Sequence, residues 1–167
     1  MTPQIGSAIT GKVIQRMTAP AGGVNANLAA LTQGSPMIPG PLEPAQIRSG
    51  NIASDLAERS DTVQYPAANI YCEKILNSQI EKFRTFSGKL QMAIDLRHSE
   101  DRLDHVQSNL ETYTDAVMAV LDTSLGDWGG GMYYAGGYEV AFGPVKHGGK
   151  NFIQTAKVTF EIGVSIS

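Results

Sequence analysis

From Lys157 to Ser167 the chain alternates without a break. Val158, Phe160, Ile162, Val164 and Ile166 fall on one side, and Lys157, Thr159, Glu161, Gly163 and Ser165 on the other. A helix turns once in about 3.6 residues and would scatter such a pattern around its surface, whereas a strand repeats every 2. The segment is therefore a strand with one buried face and one face turned to solvent or a partner. Lys89–His98 carries the same signal, with Leu90, Met92, Ile94 and Leu96 opposed to Lys89, Gln91, Asp95 and Arg97. Met132–Phe142 ends in Tyr138, Val140 and Phe142 against Glu139 and Ala141, so the two late strands can pair as a hairpin. Asn69–Glu73 and Gln46–Arg48 read as shorter strands.

Two helices accompany these strands. Thr2 followed by Pro3 is a start signal, a hydroxyl cap before proline at the first helical position. Ile5, Ile9, Val13 and Met17 then recur every fourth residue until Pro20, Gly22 and Gly23. The longer helix carries Leu103, Val106, Leu110, Tyr113, Ala116, Val117, Val120 and Leu121 on one stripe, with Ser99 or Asp101 as its cap and Gly126 at its end. Glu100, Asp101 and Asp104 sit near its positive end, where carboxylates are favoured. Ala26–Leu31 and Ser54–Arg59 read as short helices. Pro36, Pro39, Pro41 and Pro44 make Gly34–Pro44 an extended connector. Ile75–Phe86 reads two ways: Leu76, Ile80 and Phe83 have helical spacing, while Thr85 to Gly88 suit a loop before a strand.

Single-faced strands and single-striped helices predict an α+β fold. It is a two-layer sandwich with a mostly antiparallel four-stranded sheet, packed by an N-terminal helix and a long central helix. Residues 1–64 form the N-terminal helix and a Pro/Ala-rich extension, and residues 65–167 the α+β core, within one structural domain.

The 167 residues carry a net charge of −3 with a pI near 5.5. That argues against an electrostatic nucleic-acid binder and against attraction to an anionic membrane. Cys72 is the single cysteine, so no intrachain disulfide forms. The first residues carry no basic segment followed by an apolar run, and no apolar run reaches the length of a membrane span. The expectation is a protein made in a cytoplasm, or carried in a particle assembled there.

Motifs for chemistry fail on their details. Gly6, Gly11 and Lys12 fit the start of a phosphate-binding loop, but Val13 stands where Ser or Thr would hold magnesium, and no strand precedes Gly6. His98, His105 and His147 have no zinc spacing and read as surface histidines. Cys72 fits a small buried hydrophobe in a strand better than a nucleophile. Glu100, Asp101 and Asp104 fit a helix cap better than a metal loop. The chain therefore reads as a non-enzyme without metal or cofactor, working by contact.

Two glycine-rich loops carry the candidate contacts. Asp127–Tyr138 holds Trp128, Met132, Tyr133, Tyr134 and Tyr138 among glycines, the aromatic composition enriched at interfaces. The alternative is a hairpin whose aromatics fold back onto the core. Gly143–Asn151 is too long for a tight turn and reads as a projecting arm presenting Lys146, His147 and Lys150.

Several stretches together resemble the small neck proteins of tailed bacteriophages, closest to the tail terminator and tail-completion group. They are Tyr65-Pro66, Asn69 to Glu73, Glu81 to Arg84, Arg97 to Leu103, Tyr138 to Val140, Phe142 to Gly149 and Gln154 to Val158. The resemblance spans roughly residues 65–167 and lies in the order of elements rather than in a short motif; residues 20–60 depart from it. It implies a small sheet packed by helices, no catalysis, and a hexameric ring that caps the tail tube and joins the tail to the head–tail connector. Its partners would be other copies of the chain, a tail tube protein, and a connector or stopper protein, with genome DNA passing unbound through the lumen. The setting would be the virion. Trp128, Tyr133 and Tyr134 would then lie at a subunit or partner contact, and the strand face with Lys157, Thr159 and Glu161 would line the lumen or the outer wall. A stopper or tube-ring protein, or a small cytoplasmic ligand-binding domain or enzyme using a pocket under the glycine loops, remains the alternative.

Overall fold

A computed structural model describes residues 4–33, 40–53, 56–57 and 64–167. The Thr2-Pro3 start signal, Gly34–Pro39 of the connector and most of the Ser54–Arg59 helix lie outside the described residues. In chain order the elements are α1 (Ile5–Met17), α2 (Val24–Leu31), a 3₁₀ turn (Pro44–Gln46), β1 (Ile47–Ser49), β2 (Ala67–Asn77), β3 (Phe86–Glu100), α3 (Leu103–Asp122), β4 (Gly126–Gly129), β5 (Met132–Tyr134), β6 (Glu139–Phe142), β7 (Lys146–Gly148) and β8 (Asn151–Ile166). The fold mixes helices with one large sheet. Among the described residues that sheet holds eight strands, in the order β1-β2-β3-β8-β5-β4 with β6 and β7 also paired to β8, so the expected four-stranded sheet is corrected. Among the described residues only the β1–β2 pair is parallel.

The long strand β8 organises the sheet. Along one edge it pairs with β3 without a register break, from Phe86 opposite Ile166 to Glu100 opposite Phe152. Along its other edge it pairs in turn with β5, β6 and β7. Chain 132–148 is thus one long hairpin arm, interrupted at Gly136-Gly137 and Gly143-Pro144. The stretch between β6 and β8 is not a free arm, because β7 closes on β8 through the short turn from Gly148 to Asn151.

One face of the sheet meets the helices. Leu90, Met92, Ile94 and Leu96 of β3 and Ala156, Val158, Phe160, Ile162 and Val164 of β8 share a core with α1, α2 and α3. The stripe on α3 is buried from Val106 through Leu110, Tyr113, Ala116, Val117, Val120 and Leu121, but its expected first member, Leu103, is corrected to exposed because it lies in the first turn, beyond the edge of the core. Its start is corrected: β3 continues to Glu100, Arg102 takes the N-cap position, and no side chain caps it. A missing cap costs about 1 kcal/mol, whereas each large aliphatic side chain buried contributes roughly 2 kcal/mol, so packing decides where this helix lies.

The N-terminal part belongs to the same core. Ile9, Val13 and Met17 of α1, Val24 and Leu28 of α2, and Leu42 are all buried with the sheet residues. The Tyr113 hydroxyl donates to the Gly40 carbonyl at 2.7 Å. Residues 40–46 are therefore held by the fold rather than serving as a loose connector.

The second face of the sheet is polar. Lys89 Nζ pairs with Glu161 at 3.2 Å, Lys157 pairs with Glu73, and Gln91 donates to Glu73 at 2.7 Å. This face is not uniformly open. Toward the start of β2 it is covered, and Asn69, Tyr71, Asp95 and Arg97 are all buried there. Among the described residues, no helix is long and apolar enough to cross a membrane.

Candidate functional site

The aromatic loop folds largely inward. Trp128 is 7% exposed; its Nε1 donates to the Ser124 carbonyl at 2.7 Å, and the Arg16 guanidinium lies 4.4 Å over its ring. Lys12 Nζ donates to the Trp128 carbonyl at 2.9 Å, which fixes the lysine of the apparent phosphate loop inside α1 as a strut. Tyr134 packs against Phe160 at 5.7 Å and Trp128 at 5.8 Å, and donates its hydroxyl to Gly137 O at 3.0 Å. Burial pushes that phenol up to about 12. Met132 is buried as well. These three residues are corrected from contact surface to core, because the Gly129–Gly131 turn reverses the chain and lays both strands back on the apolar face. Gly131 has φ 79°, and a Cβ there would stand 2.0 Å from Ser165 O, so only glycine fits.

The remaining candidates divide between two ends of the sheet. Tyr133 is 54% exposed and sits opposite Gly163 on β8. Tyr138 is half-buried, its hydroxyl raised above the ordinary phenol range by burial and by a hydrogen bond to Asp122. Lys146, His147 and Lys150 are exposed around the β7–β8 turn, with the His147 ring 4.9 Å from Phe152. Gly163 and Phe152 are separated by roughly 35 Å along β8. The structure thus does not bring these residues into one site.

Ile75–Phe86, whose spacing is compatible with either a helix or a loop, forms the end of β2 and the turn into β3. It is the tip of the β2–β3 hairpin, and it holds the largest concentration of exposed apolar side chains among the described residues. Ile75 and Leu76 are about half exposed, Ile80 is 70% exposed and Phe83 is fully exposed. The backbone of this tip is tied down. Ser78 N donates to Ser87 O at 3.0 Å, Glu81 N to Ser87 Oγ at 3.0 Å, Ser87 N to Asn77 Oδ1 at 3.1 Å, and Thr85 N to Ile166 O at 2.8 Å. Glu81 Oε2 accepts from Arg84 Nε at 3.1 Å and from Ser165 Oγ at 3.0 Å. Gln79 (φ 51°) and Phe83 (φ 65°) take left-handed conformations without being glycine. Such a residue costs about 1 kcal/mol, and at Phe83 no burial offsets it within the subunit. A groove of about 240 Å³ beside the tip is lined by Ile80, Gly88, Gly131, Tyr133 and Val164. Tyr133 and the hairpin tip therefore form one surface.

His98 is corrected from surface to interior: it is 5% exposed, its ring lies edge-on to Tyr113 at 5.3 Å, and its Nε2 is 2.9 Å from Glu100 Oε1. Burial lowers its pKa against the opposing pull of Glu100. Glu100 also accepts from Asn109 Nδ2 at 3.0 Å, so it serves the interior rather than a helix cap. Cys72 is half-buried against Gly6, where a Cβ would lie 3.2 Å from the Cys72 Cβ, and burial raises its thiol pKa. Among the described residues, no three His, Cys, Asp or Glu side chains gather as a metal site. Compared with known protein families and with curated protein sequences, the chain matches none.

Proposed function

We propose that this chain is a structural subunit whose work is done by contact, a tail terminator of a tailed-phage neck in the virion. Six copies form a ring that caps the tail tube and joins the tail to the head–tail connector. The observation that carries the reading is the β2–β3 tip. It is a tied, strained turn presenting Ile75, Leu76, Ile80 and Phe83 to the outside, with Tyr133 beside it. An exposed apolar cluster on a rigid support is what a contact surface needs, since little ordering entropy remains to be lost on docking. A head-to-tail ring uses two different patches of each copy, so an unpaired apolar tip suits one half of such a contact. The net negative charge suits a lumen through which DNA passes without sticking.

Electron microscopy of the purified chain and of intact particles tests this. The expected result is a six-fold ring, present once, at the junction of head and tail. A monodisperse monomer at high concentration with no ring in any particle would sink the reading. Many stacked rings would make the chain a tube protein, and a ring on the connector side a stopper. One observation favours the other class, a small ligand-binding domain or enzyme: a groove of about 320 Å³ under the glycine loop, lined by Gly136, Gly137, Tyr138, Glu139, Thr159 and Glu161. Turnover of a substrate by the isolated chain, abolished at Glu139, would establish that class.

A further inference from the structure

At the covered end of the polar sheet face, a cavity of about 290 Å³ opens beside Arg97, with Gln46, Arg48, Ile52, Leu56 and Asn69 among its walls. Arg97 is 2% exposed. Its Nη2 donates to the Ile52 carbonyl at 3.1 Å, and its Nε and Nη1 have no hydrogen-bond partner among the described residues. The nearest carboxylate, Asp95, keeps Oδ2 3.8 Å away, beyond hydrogen-bond length, and accepts instead from the Tyr71 hydroxyl at 3.1 Å. A guanidinium has five N–H donors in a fixed fork. Nη2 carries two of them and Ile52 takes one, so one complete edge of the fork is left without an acceptor. A charged group taken out of water normally has its donors filled.

We propose that this cavity binds a carboxylate attached to an apolar body, with the carboxylate on the free edge of Arg97. Arg97 and Arg48 are two cations, and none of the described lining residues is acidic, so an anion is favoured even with Asp95 nearby. A planar carboxylate matches the guanidinium edge with two parallel hydrogen bonds. Asn69 and Gln46 supply further polar contacts, while Ile52, Leu56 and Ala67 offer the apolar wall that a bare inorganic anion would leave unused. The carboxylate can come from a free organic acid or from the end of a peptide. The inference does not depend on ring assembly.

Titration of the ¹⁵N-labelled full chain, followed at the arginine Nε–Hε and the backbone amide resonances, the latter also reporting on the Arg97 variant, tests it. The probes are hexanoate, hexanamide, inorganic phosphate, and an acetylated hydrophobic tripeptide as its free acid and its amide. Hexanoate or the peptide acid should shift the Arg97 resonance saturably at one site, and whichever binds tighter identifies the source. The matching amide should bind at least about tenfold more weakly, as should the Arg97→Lys variant, which replaces the fork by a point charge. If Arg97→Lys does not fold, Arg48→Gln should still weaken hexanoate several-fold. No saturable shift at about 10 mM, ten times a millimolar dissociation constant, would overturn the proposal. So would equal binding of hexanoate and hexanamide, or of hexanoate and phosphate.

Discussion

Asn25 grips the backbone of Leu42 from both sides: Leu42 N donates to its Oδ1 at 2.8 Å, and its Nδ2 donates to the Leu42 carbonyl at 2.8 Å. The clamp fixes the last part of the proline-rich stretch against α2 and sets the Leu42 side chain into the core at 2% exposure. Leu42→Ala should therefore cost about 2–5 kcal/mol in urea unfolding, the range for a buried leucine. Asn25→Ala should cost about 1 kcal/mol, since water reaches the freed groups. Negligible losses in both would mean that this segment detaches without consequence for the core.

Trp128 separates a core role from a contact role. Its ring lies between Arg16 and Tyr134, and its Nε1 is held by the Ser124 carbonyl. Trp128→Ala should lower stability by about 3–5 kcal/mol and lower the melting temperature before any effect on self-association is measurable. Calorimetry on the monomer decides this. A variant with unchanged melting temperature but impaired association would return Trp128 to the interface.

His98 gives the fold a pH dependence whose sign follows from its burial. Its folded-state pKa lies below the ordinary 6.5, so the unfolded chain binds the proton more readily. Its contribution is then fully present above pH 6.5 and is lost as pH falls below that value toward the lowered folded pKa. Unfolding free energies of wild type and His98→Gln, compared between pH 7.5 and 5, should converge as the pH falls. A difference that is constant across this range, or that widens on acidification, would contradict the assignment.

Much of this fold is legible in local periodicity. The stripe Ile9, Val13 and Met17, the α3 stripe from Val106 onward, and the apolar sides of β3 and β8 each lie within one element and are buried as their spacing requires, except that Leu103 at the head of the α3 stripe is 49% exposed and Ile166 at the end of β8 is half-buried. What local patterns do not carry is pairing. A strand such as β8 has two edges, and nothing in Lys157–Ser167 states that β5, β6 and β7 will share one of them. Met132–Phe142, expected as one strand, is β5 and β6; β7 falls in the expected arm, β4 in the expected aromatic loop, and β1 is a short strand outside the expected sheet, which together separate four expected strands from eight among the described residues. The hairpin tip misleads for a different reason. Leu76, Ile80 and Phe83 are spaced as on a helix, yet apolar periodicity reports a face only where that face is buried, and here all three are exposed. The inward turn of Trp128 and Tyr134 rests on the close approach of Gly131 to Ser165, a contact between residues distant in sequence.

The hairpin tip offers the sharpest test of the proposed assembly. Ile80 and Phe83 are exposed, so replacing both by serine should leave unfolding free energy within about 0.5 kcal/mol of wild type. Phe83→Asn should match or exceed wild-type stability by up to about 1 kcal/mol, because asparagine tolerates a left-handed φ better than phenylalanine does. Both variants should nevertheless shift the chain from ring to monomer in sedimentation velocity. Gly88→Ala is the complementary case. Its Cβ would lie 1.9 Å from the Leu76 carbonyl, across the hairpin, so the pairing of Leu76 and Asn77 with Lys89 and Gly88 must open. That should cost about 3 kcal/mol or more, expose the Leu76 and Asn77 amides to exchange, and abolish association through loss of the rigid support. If the serine double variant still forms rings while Gly88→Ala does not, the hairpin is needed for folding alone and its apolar tip is not the contact.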